Sequence, residues 1–168
     1  MAVDGGTRQV ITVGVAQYRI GKTPEAMMTL ALGSCLGIVL FDETTGIGAL
    51  AHAMHPRRAQ VKNNANRAKF IDSVLPIIVD GMVRCGARRE RIVAKIFGGA
   101  RMFESSAGVA GVLQIGDENI AAARAGLEMI GIPIVGECVG GARGRTIVFD
   151  LSNGSVAVRS VDAEEVIC

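Results

Sequence analysis

The chain has 168 residues, of which 49% are hydrophobic and 20% are charged. This composition excludes intrinsic disorder, and the length indicates a single domain over residues 1–168 whose core needs neither a metal nor a disulfide to fold. A net charge of +2 and an aromatic content of 4%, with no tryptophan, argue against nucleic-acid binding through bulk charge or base stacking.

Strands dominate the beginning of the sequence. Runs of β-branched and other apolar residues predict four strands, over residues 10–15, 26–32, 36–41 and 47–54. Pro56 ends the last of these because it cannot donate to a ladder. The segment from Arg57 to Arg67 is basic and rich in asparagine, without an apolar pattern, which is typical of a mobile loop.

Two helices are predicted further along the chain. Apolar residues at helical spacing indicate a helix from Ala68 to Arg84, which Gly86 ends and which Pro76 kinks or delays. A second helix is expected from Glu118 to Ile130, with its N-terminal cap near Asp117.

Further strands and turns accompany these helices. Four more strands are predicted, over residues 92–97, 133–139, 146–149 and 155–161. Residues 104–116 read as a loop rich in glycine and serine, and Asn153-Gly154 predicts a type I′ hairpin turn. About eight strands and two helices predict an α/β or α+β layered domain, in which the helices cover part of a mixed, folded-over sheet.

The sequence also carries signals of compartment. The longest uncharged run, residues 26–41, is shorter than the ~20 apolar residues that span a bilayer, so we expect a protein that is not inserted in a membrane. Residues 1–9 contain no apolar stretch of a signal peptide. The four cysteines form no CxxC pair, which argues against a zinc site and a disulfide framework. We therefore expect a cytoplasmic protein with free thiols and no cofactor.

One cysteine and one histidine are the best candidates for chemistry. Cys35 follows a Leu-Gly-Ser turn at the start of an apolar strand, where a nucleophile can be exposed and backbone N–H groups can bind an oxyanion. His52 could form an ion pair with it and so activate the thiol. The alternative is that Cys35 is a small buried hydrophobic residue, as most free cysteines are. His55 lies an odd number of residues from His52 and should face the other side of the strand.

Two glycine-rich segments are weak signals. Gly98-Gly99 and residues 140–145 fit neither GxGxxG nor GxxxxGK[ST], so nucleotide binding is not expected. The arginines of the second segment either bind a carboxylate or cap strand ends.

Several blocks of the sequence resemble one known family. They are Thr29-Leu-Ala-Leu-Gly-Ser-Cys-Leu-Gly37, Ile47-Gly-Ala-Leu-Ala-His52 with Pro56, Lys69-Phe-Ile-Asp72, Lys95-Ile-Phe-Gly-Gly-Ala-Arg-Met-Phe103, and Gly140-Gly141 with Gly144-Arg145. In this order, over roughly residues 8–160, they resemble the CheD family of chemoreceptor glutamine deamidases.

The resemblance implies an activity and roles for three residues. It implies an enzyme that hydrolyses chosen glutamine side chains of methyl-accepting chemotaxis receptors to glutamate. By analogy, Cys35 is the nucleophile, His52 exchanges protons with the thiol and the leaving ammonia, and Thr29 orients the imidazole. The resemblance also implies binding of the chemotaxis phosphatase CheC. The chain departs from the family at His55, where an apolar residue is usual, and at Glu118, where arginine is common.

Two other functions fit the same residues. The first is a regulatory binding module that engages CheC with little or no catalysis. The second is an acyl hydrolase that resembles a receptor methylesterase and acts on an ester instead of an amide. Release of ammonia or of methanol distinguishes the two hydrolases.

Overall fold

Two mixed β-sheets and two helices make up the described part of this computed structural model, residues 8–102, 115–160 and 166–168. The strands are β1 (Val10–Thr12), β2 (Tyr18–Lys22), β3 (Ala26–Leu32), β4 (Leu36–Asp42), β5 (Ile47–Ala53), β6 (Val93–Gly98), β7 (Ile134–Val139), β8 (Arg145–Asp150), β9 (Val156–Ser160) and β10 (Val166–Ile167). The α-helices are α1 (Ile71–Arg84) and α2 (Ile115–Met129), and 3-10 turns cover Arg58–Gln60, Arg67–Lys69 and Arg89–Arg91. No helix among these residues is long and apolar enough to cross a membrane.

The strands pair in the orders β1-β3-β8-β9-β10 (sheet A) and β2-β5-β4-β6-β7 (sheet B). Each sheet is mixed, since β1 runs parallel to β3 and β6 runs parallel to β7 while the other pairs are antiparallel. The predicted α+β class and the two helices are confirmed. The sheet that we expected to fold over is divided into two sheets of five strands, and the short strands β2 and β10 were not predicted.

Sheet B is the middle of three layers. Its strands β4 and β5 are buried along their whole length, as expected for strands covered on both faces. Alternate side chains point in opposite directions. Ile38 and Ala51 belong to the cluster that includes the apolar face of α1 and α2. Val39 and Leu50 belong to the cluster shared with Phe149 and the other inward residues of sheet A.

Helix boundaries differ from those predicted by a few residues. The first helix begins at Ile71 because Ala68 lies in a 3-10 turn, where its N–H donates to the Asn66 side chain. Pro76 lies inside this helix. The second helix begins at Ile115, so Asp117 lies in its first turn and is not its cap.

Two predicted loops also differ. The β8–β9 hairpin is present, but a type I′ turn requires positive φ at both central residues, and only Gly154 has it. The Asp150 N–H donates to Ser155 O, which leaves four residues in the turn. One short 3-10 turn lies inside the basic segment that follows Pro56, and a second begins at the segment's last residue, Arg67. Residues 104–114 of the predicted glycine- and serine-rich loop lie outside the described residues.

A buried carboxylate anchors the end of β4. The Asp42 side chain is fully buried and accepts hydrogen bonds from the Arg91 guanidinium and from the Arg88 N–H. Burial alone would raise the pKa of Asp42, but these hydrogen bonds lower it to about 2. This network joins the β4–β5 turn to the segment that leads into β6.

We predict that Asp42→Asn destabilises the fold in a pH-dependent way. The folded pKa lies below the ordinary value of 3.8, so the charge stabilises the fold above pH 4, and this contribution is lost as the pH falls toward 2. Loss of hydrogen bonds to a charged group should cost about 1–3 kcal/mol at pH 7. Urea unfolding at pH 7 and near pH 2 measures the difference, which should disappear at the lower pH. Asp80→Asn, an exposed change on α1, is the control; a pH-independent cost at Asp42 would contradict this explanation.

Candidate active site

The turn between β3 and β4 presents Cys35. The thiol is half-buried and packs against the cluster between the two sheets. The carbonyls of the turn are held by β6 and the residues after it, since Gly99 N–H donates to Cys35 O (2.9 Å) and Ala100 N–H to Gly33 O (2.8 Å). The N–H groups of Gly33 and Ser34 donate to none of the residues that the structure describes, and the Cys35 N–H is directed at its own thiol. The turn is thus fixed through its carbonyls and has N–H groups to offer.

Gly98 allows this close packing. Its φ is +100°, and a Cβ built on it would lie 2.4 Å from the carbonyl oxygen of Cys35. Neither the backbone conformation nor the space accepts a side chain. The Gly98-Gly99 pair therefore serves the approach of two backbones at the cysteine turn, and no phosphate-binding role is needed to account for it.

His52 lies on β5, on the face of sheet B that packs against sheet A. It is directly opposite Gly37 of β4 in the antiparallel register. Cys35 lies one residue before β4 and outside its ladder, and its side chain packs against the apolar cluster between the two sheets, which includes Leu50 from the same face of β5 as His52. The His52 side chain is fully buried, and its Nε2 atom has no hydrogen-bond partner among the described residues.

Thr29 holds the other ring nitrogen of His52. Its hydroxyl lies 2.8 Å from His52 Nδ1 and donates to Val13 O at 2.7 Å. A hydroxyl has a single proton to donate. Because that proton is directed to the carbonyl, the oxygen accepts from Nδ1–H, and the neutral ring has its lone pair on Nε2. A hydrogen bond thus joins Thr29 of sheet A to His52 of sheet B, and Cys35 packs at the same interface between the two sheets.

Burial sets the charge state of the two candidate reacting groups. It raises the pKa of the Cys35 thiol, an effect that the Cys35 N–H opposes, and it lowers the pKa of His52. Both directions favour the neutral form. The environment therefore favours a neutral thiol and a neutral imidazole over the ion pair that the sequence suggested.

His55 belongs to a different contact. It lies beyond the end of β5, forms a bridge with Phe70 and stacks on that ring, with centroids 6.0 Å apart. No hydrogen bond joins it to His52 or Thr29.

Asn119 is a polar residue near the site that sequence reasoning missed. It lies on α2 and is fully buried, and its Nδ2 donates to Ser34 O (2.9 Å) and Met54 O (3.0 Å). Its Oδ1 is buried without a hydrogen-bond partner among the described residues. The sequence offered no signal for it, because an asparagine in the first turns of a predicted helix is ordinarily an exposed residue.

Arg145 caps strand ends. Its guanidinium donates to Gly98 O (3.1 Å) and Gly140 O (2.7 Å). Of the two roles open for the arginines of residues 140–145, the structure gives this residue the capping one. Within the described ranges, no group of three or more His, Cys, Asp or Glu residues is arranged to hold a metal ion.

Comparison with known proteins gives consistent similarities. Residues 54–160 match the family described as CheD chemotactic sensory transduction. A probable chemoreceptor glutamine deamidase CheD from Moorella thermoacetica is 43% identical over 153 residues, covering 91% of this chain and 92% of the relative. A protein with the same name from Clostridium botulinum strain Hall is 42% identical over 151 residues, covering 90% of this chain and 93% of the relative.

We predict that Gly98→Ala displaces the cysteine turn. The left-handed φ costs about 1–2 kcal/mol for a residue with a side chain, and the contact with Cys35 O adds to this cost. Gly131→Ala is a matched control, since its φ is +72° and no atom lies within 4 Å of the new Cβ. Thermal unfolding and the alkylation rate of Cys35 should change far more in Gly98→Ala; equal changes in the two variants would show that the close approach is unimportant.

Proposed function

The chain belongs to the CheD family, and on this premise we propose that it is a chemoreceptor glutamine deamidase. It hydrolyses the side-chain amide of selected receptor glutamines to glutamate and ammonia, with Cys35, His52 and Thr29 as its reacting and orienting groups. The observation that carries this proposal is the buried Thr29–His52 hydrogen bond, which leaves the Nε2 lone pair at the interface between the two sheets, where Cys35 also packs.

The first half of the reaction forms a thioester. As Cys35 Sγ attacks the amide carbon, His52 Nε2 takes the thiol proton, so that the neutral pair reacts without a preformed thiolate. The tetrahedral oxygen becomes negative and accepts from the Cys35 N–H, which in the free protein is directed at its own thiol and at no other described residue. The protonated His52 then gives its proton to the amide nitrogen, the C–N bond breaks, and ammonia leaves.

The second half consumes one water. His52 Nε2 removes a proton from the water as its oxygen attacks the thioester carbon. The C–S bond then breaks, the proton on His52 returns to Cys35, and the product is a glutamate side chain. Thr29 accepts from Nδ1–H in both protonation states of His52, which keeps the ring in one orientation through the cycle.

The surroundings of the cysteine turn suit a protein substrate. Met102 is exposed to nearly half of its surface and lies against Gly33 of the turn. Apolar side chains beside an active site offer contacts to a helical partner, which anchors through residues spaced three or four apart. The substrate that we propose is therefore a helix of a methyl-accepting chemotaxis receptor, and the four free cysteines agree with the cytoplasm as the place of action.

We predict that Cys35→Ala abolishes deamidation and leaves the fold intact, because loss of a small side chain in a half-buried turn should cost less than about 2 kcal/mol. The assay incubates the protein with a receptor fragment and measures ammonia, methanol and the mass of the fragment's glutamine peptides. Ammonia without methanol separates the deamidase from an esterase. A folded Cys35→Ala variant with even about a tenth of the wild-type rate would contradict covalent catalysis.

The two histidines supply the matched pair for the same assay. His52→Ala should lose about 10²-fold or more, the scale of a general base, whereas His55→Leu should be nearly silent.

We predict that Thr29→Val lowers kcat by about 10- to 100-fold, because the ring of His52 loses the acceptor that fixes its tautomer. Thr29→Ser keeps the hydroxyl and should restore most of the rate. The comparison of kcat and KM for both variants measures the effect. An equally slow Thr29→Ser, or a loss confined to KM, would assign Thr29 to packing alone.

We propose the phosphatase CheC as a second partner that covers the same surface. The exposed Met102 against Gly33 of the cysteine turn supports this surface, and the exposed Arg57 and Lys62 supply positive charge in the segment that follows β5, the strand of His52. Arg58 is left unchanged because its Nε donates to Asn64 O within the loop.

The prediction is that CheC competes with the receptor fragment and slows alkylation of Cys35. Arg57→Ser with Lys62→Ser should weaken CheC binding and reduce its salt dependence. Arg84→Ser with Arg88→Ser, at the other end of α1, is the control pair. Tight binding of CheC with an unchanged alkylation rate would mean that CheC docks elsewhere.

A further inference from the structure

Asn119 contacts the peptide unit on which the proposed reaction depends. Its Nδ2 donates to the carbonyl of Ser34, and that carbonyl belongs to the peptide bond whose nitrogen is the amide of Cys35. Because a trans peptide is planar, its C=O and N–H point in opposite directions. Fixing Ser34 O toward α2 therefore fixes the Cys35 N–H on the side away from α2.

The same side chain extends the connection between β4 and β5. The ladder between these strands ends at the pair Leu36 and Ala53, so Cys35 and Met54 lie just beyond it. The second hydrogen bond of Asn119 goes to Met54 O, which joins the cysteine turn to the end of the strand that carries His52.

The helix that carries Asn119 is itself held closely against the turn. A Cβ on Gly116 would lie 2.6 Å from Gly99 O, and the N–H of Gly99 donates to Cys35 O. Asn119 is completely buried, and both of its acceptors are carbonyls, so its amide group has one orientation, with the NH2 toward them.

This arrangement leaves the Oδ1 atom of Asn119 without a hydrogen bond among the described residues. The atom is buried, and an unpaired buried acceptor destabilises a fold. Such a group in a native structure calls for an explanation, and a role in the reaction supplies one.

We infer that Asn119 is a positioning residue that orients the Ser34–Cys35 peptide, so that the Cys35 N–H meets the oxyanion of the tetrahedral intermediate. The inference rests on the proposed function. It assigns to Asn119 a large effect on the steps that develop negative charge on oxygen, and only a small one on the Cys35 thiol, whose pKa the same N–H lowers.

The test compares two reactions of the same sulfur. Deamidation passes through an oxyanion, whereas alkylation by iodoacetamide displaces iodide at carbon and forms none. The variants are Asn119→Ala and the isosteric Asn119→Asp, which lacks the NH2 donors. Deamidation of a receptor fragment gives kcat and KM. Mass spectrometry of the peptide that contains Cys35 gives the alkylation rate over a range of pH, apart from the other three cysteines.

Both variants should lose roughly 10²-fold in kcat, the scale for one oxyanion donor, with KM and the alkylation rate within about twofold of wild type. Ser73→Ala is the matched control, because it removes another buried side-chain donor, whose Oγ donates to Arg67 O, away from the cysteine turn. It should leave kcat unchanged.

Two results would overturn the inference. One is a kcat within about threefold of wild type in a folded Asn119→Asp or Asn119→Ala protein. The other is a loss of alkylation as large as the loss of deamidation, which would place the effect on the thiol and His52. Cys35→Ala, assayed in parallel, separates the two proposals. If the Cys35→Ala protein is active, the proposed mechanism itself is contradicted. If the Cys35→Ala protein is inactive and an Asn119 variant is active, only this inference is contradicted.

Discussion

The Thr29 hydroxyl holds His52 across the interface between the two sheets. Thr29 lies on β3 of sheet A and His52 on β5 of sheet B, so this one hydrogen bond depends on how the sheets pack. The inward residues around it, among them Phe97 and Phe149, form a single apolar cluster. Water is excluded from that cluster, which strengthens the hydrogen bond between Thr29 and His52. It also leaves the Thr29 hydroxyl as the acceptor for the Nδ1–H of His52. Correct packing of the core and correct orientation of the His52 ring are therefore the same structural requirement.

The same burial that fixes His52 also limits its chemistry. A buried imidazole and a half-buried thiol both disfavour charge, which lowers the pKa of His52 and raises that of Cys35. In the proposed mechanism this neutral pair is a weak nucleophile at rest and reacts when an amide carbon accepts the sulfur as the proton moves. That mechanism then needs hydrogen-bond donors for the charge that develops on the substrate oxygen.

Local sequence patterns predicted the strands and helices whose conformation follows from their own residues. The strands around the cysteine turn are long apolar runs, so β3, β4 and β5 were found with small errors at their ends. Strand periodicity does not reveal which strands pair, and one folded-over sheet was expected where two are formed. Strand β2 was missed because Tyr18–Lys22 is an edge strand without an apolar run, and its conformation comes from pairing with β5. The pairing of Cys35 with His52 came from the residues themselves and from the resemblance, the role of Thr29 came from the resemblance alone, and all three roles remain predictions.

Asn119 shows why the supporting groups of such a site escape a sequence analysis. A turn of three small residues has no side chain long enough to cap its own carbonyls, so Ser34 O must find its donor elsewhere. The donor lies 85 residues away on a helix, and nothing in the helical pattern of α2 marks it. The groups that we propose to react are close both in space and in sequence, so a motif can identify them. The group that we propose to orient them is close only in space, and the fold brings it to the turn.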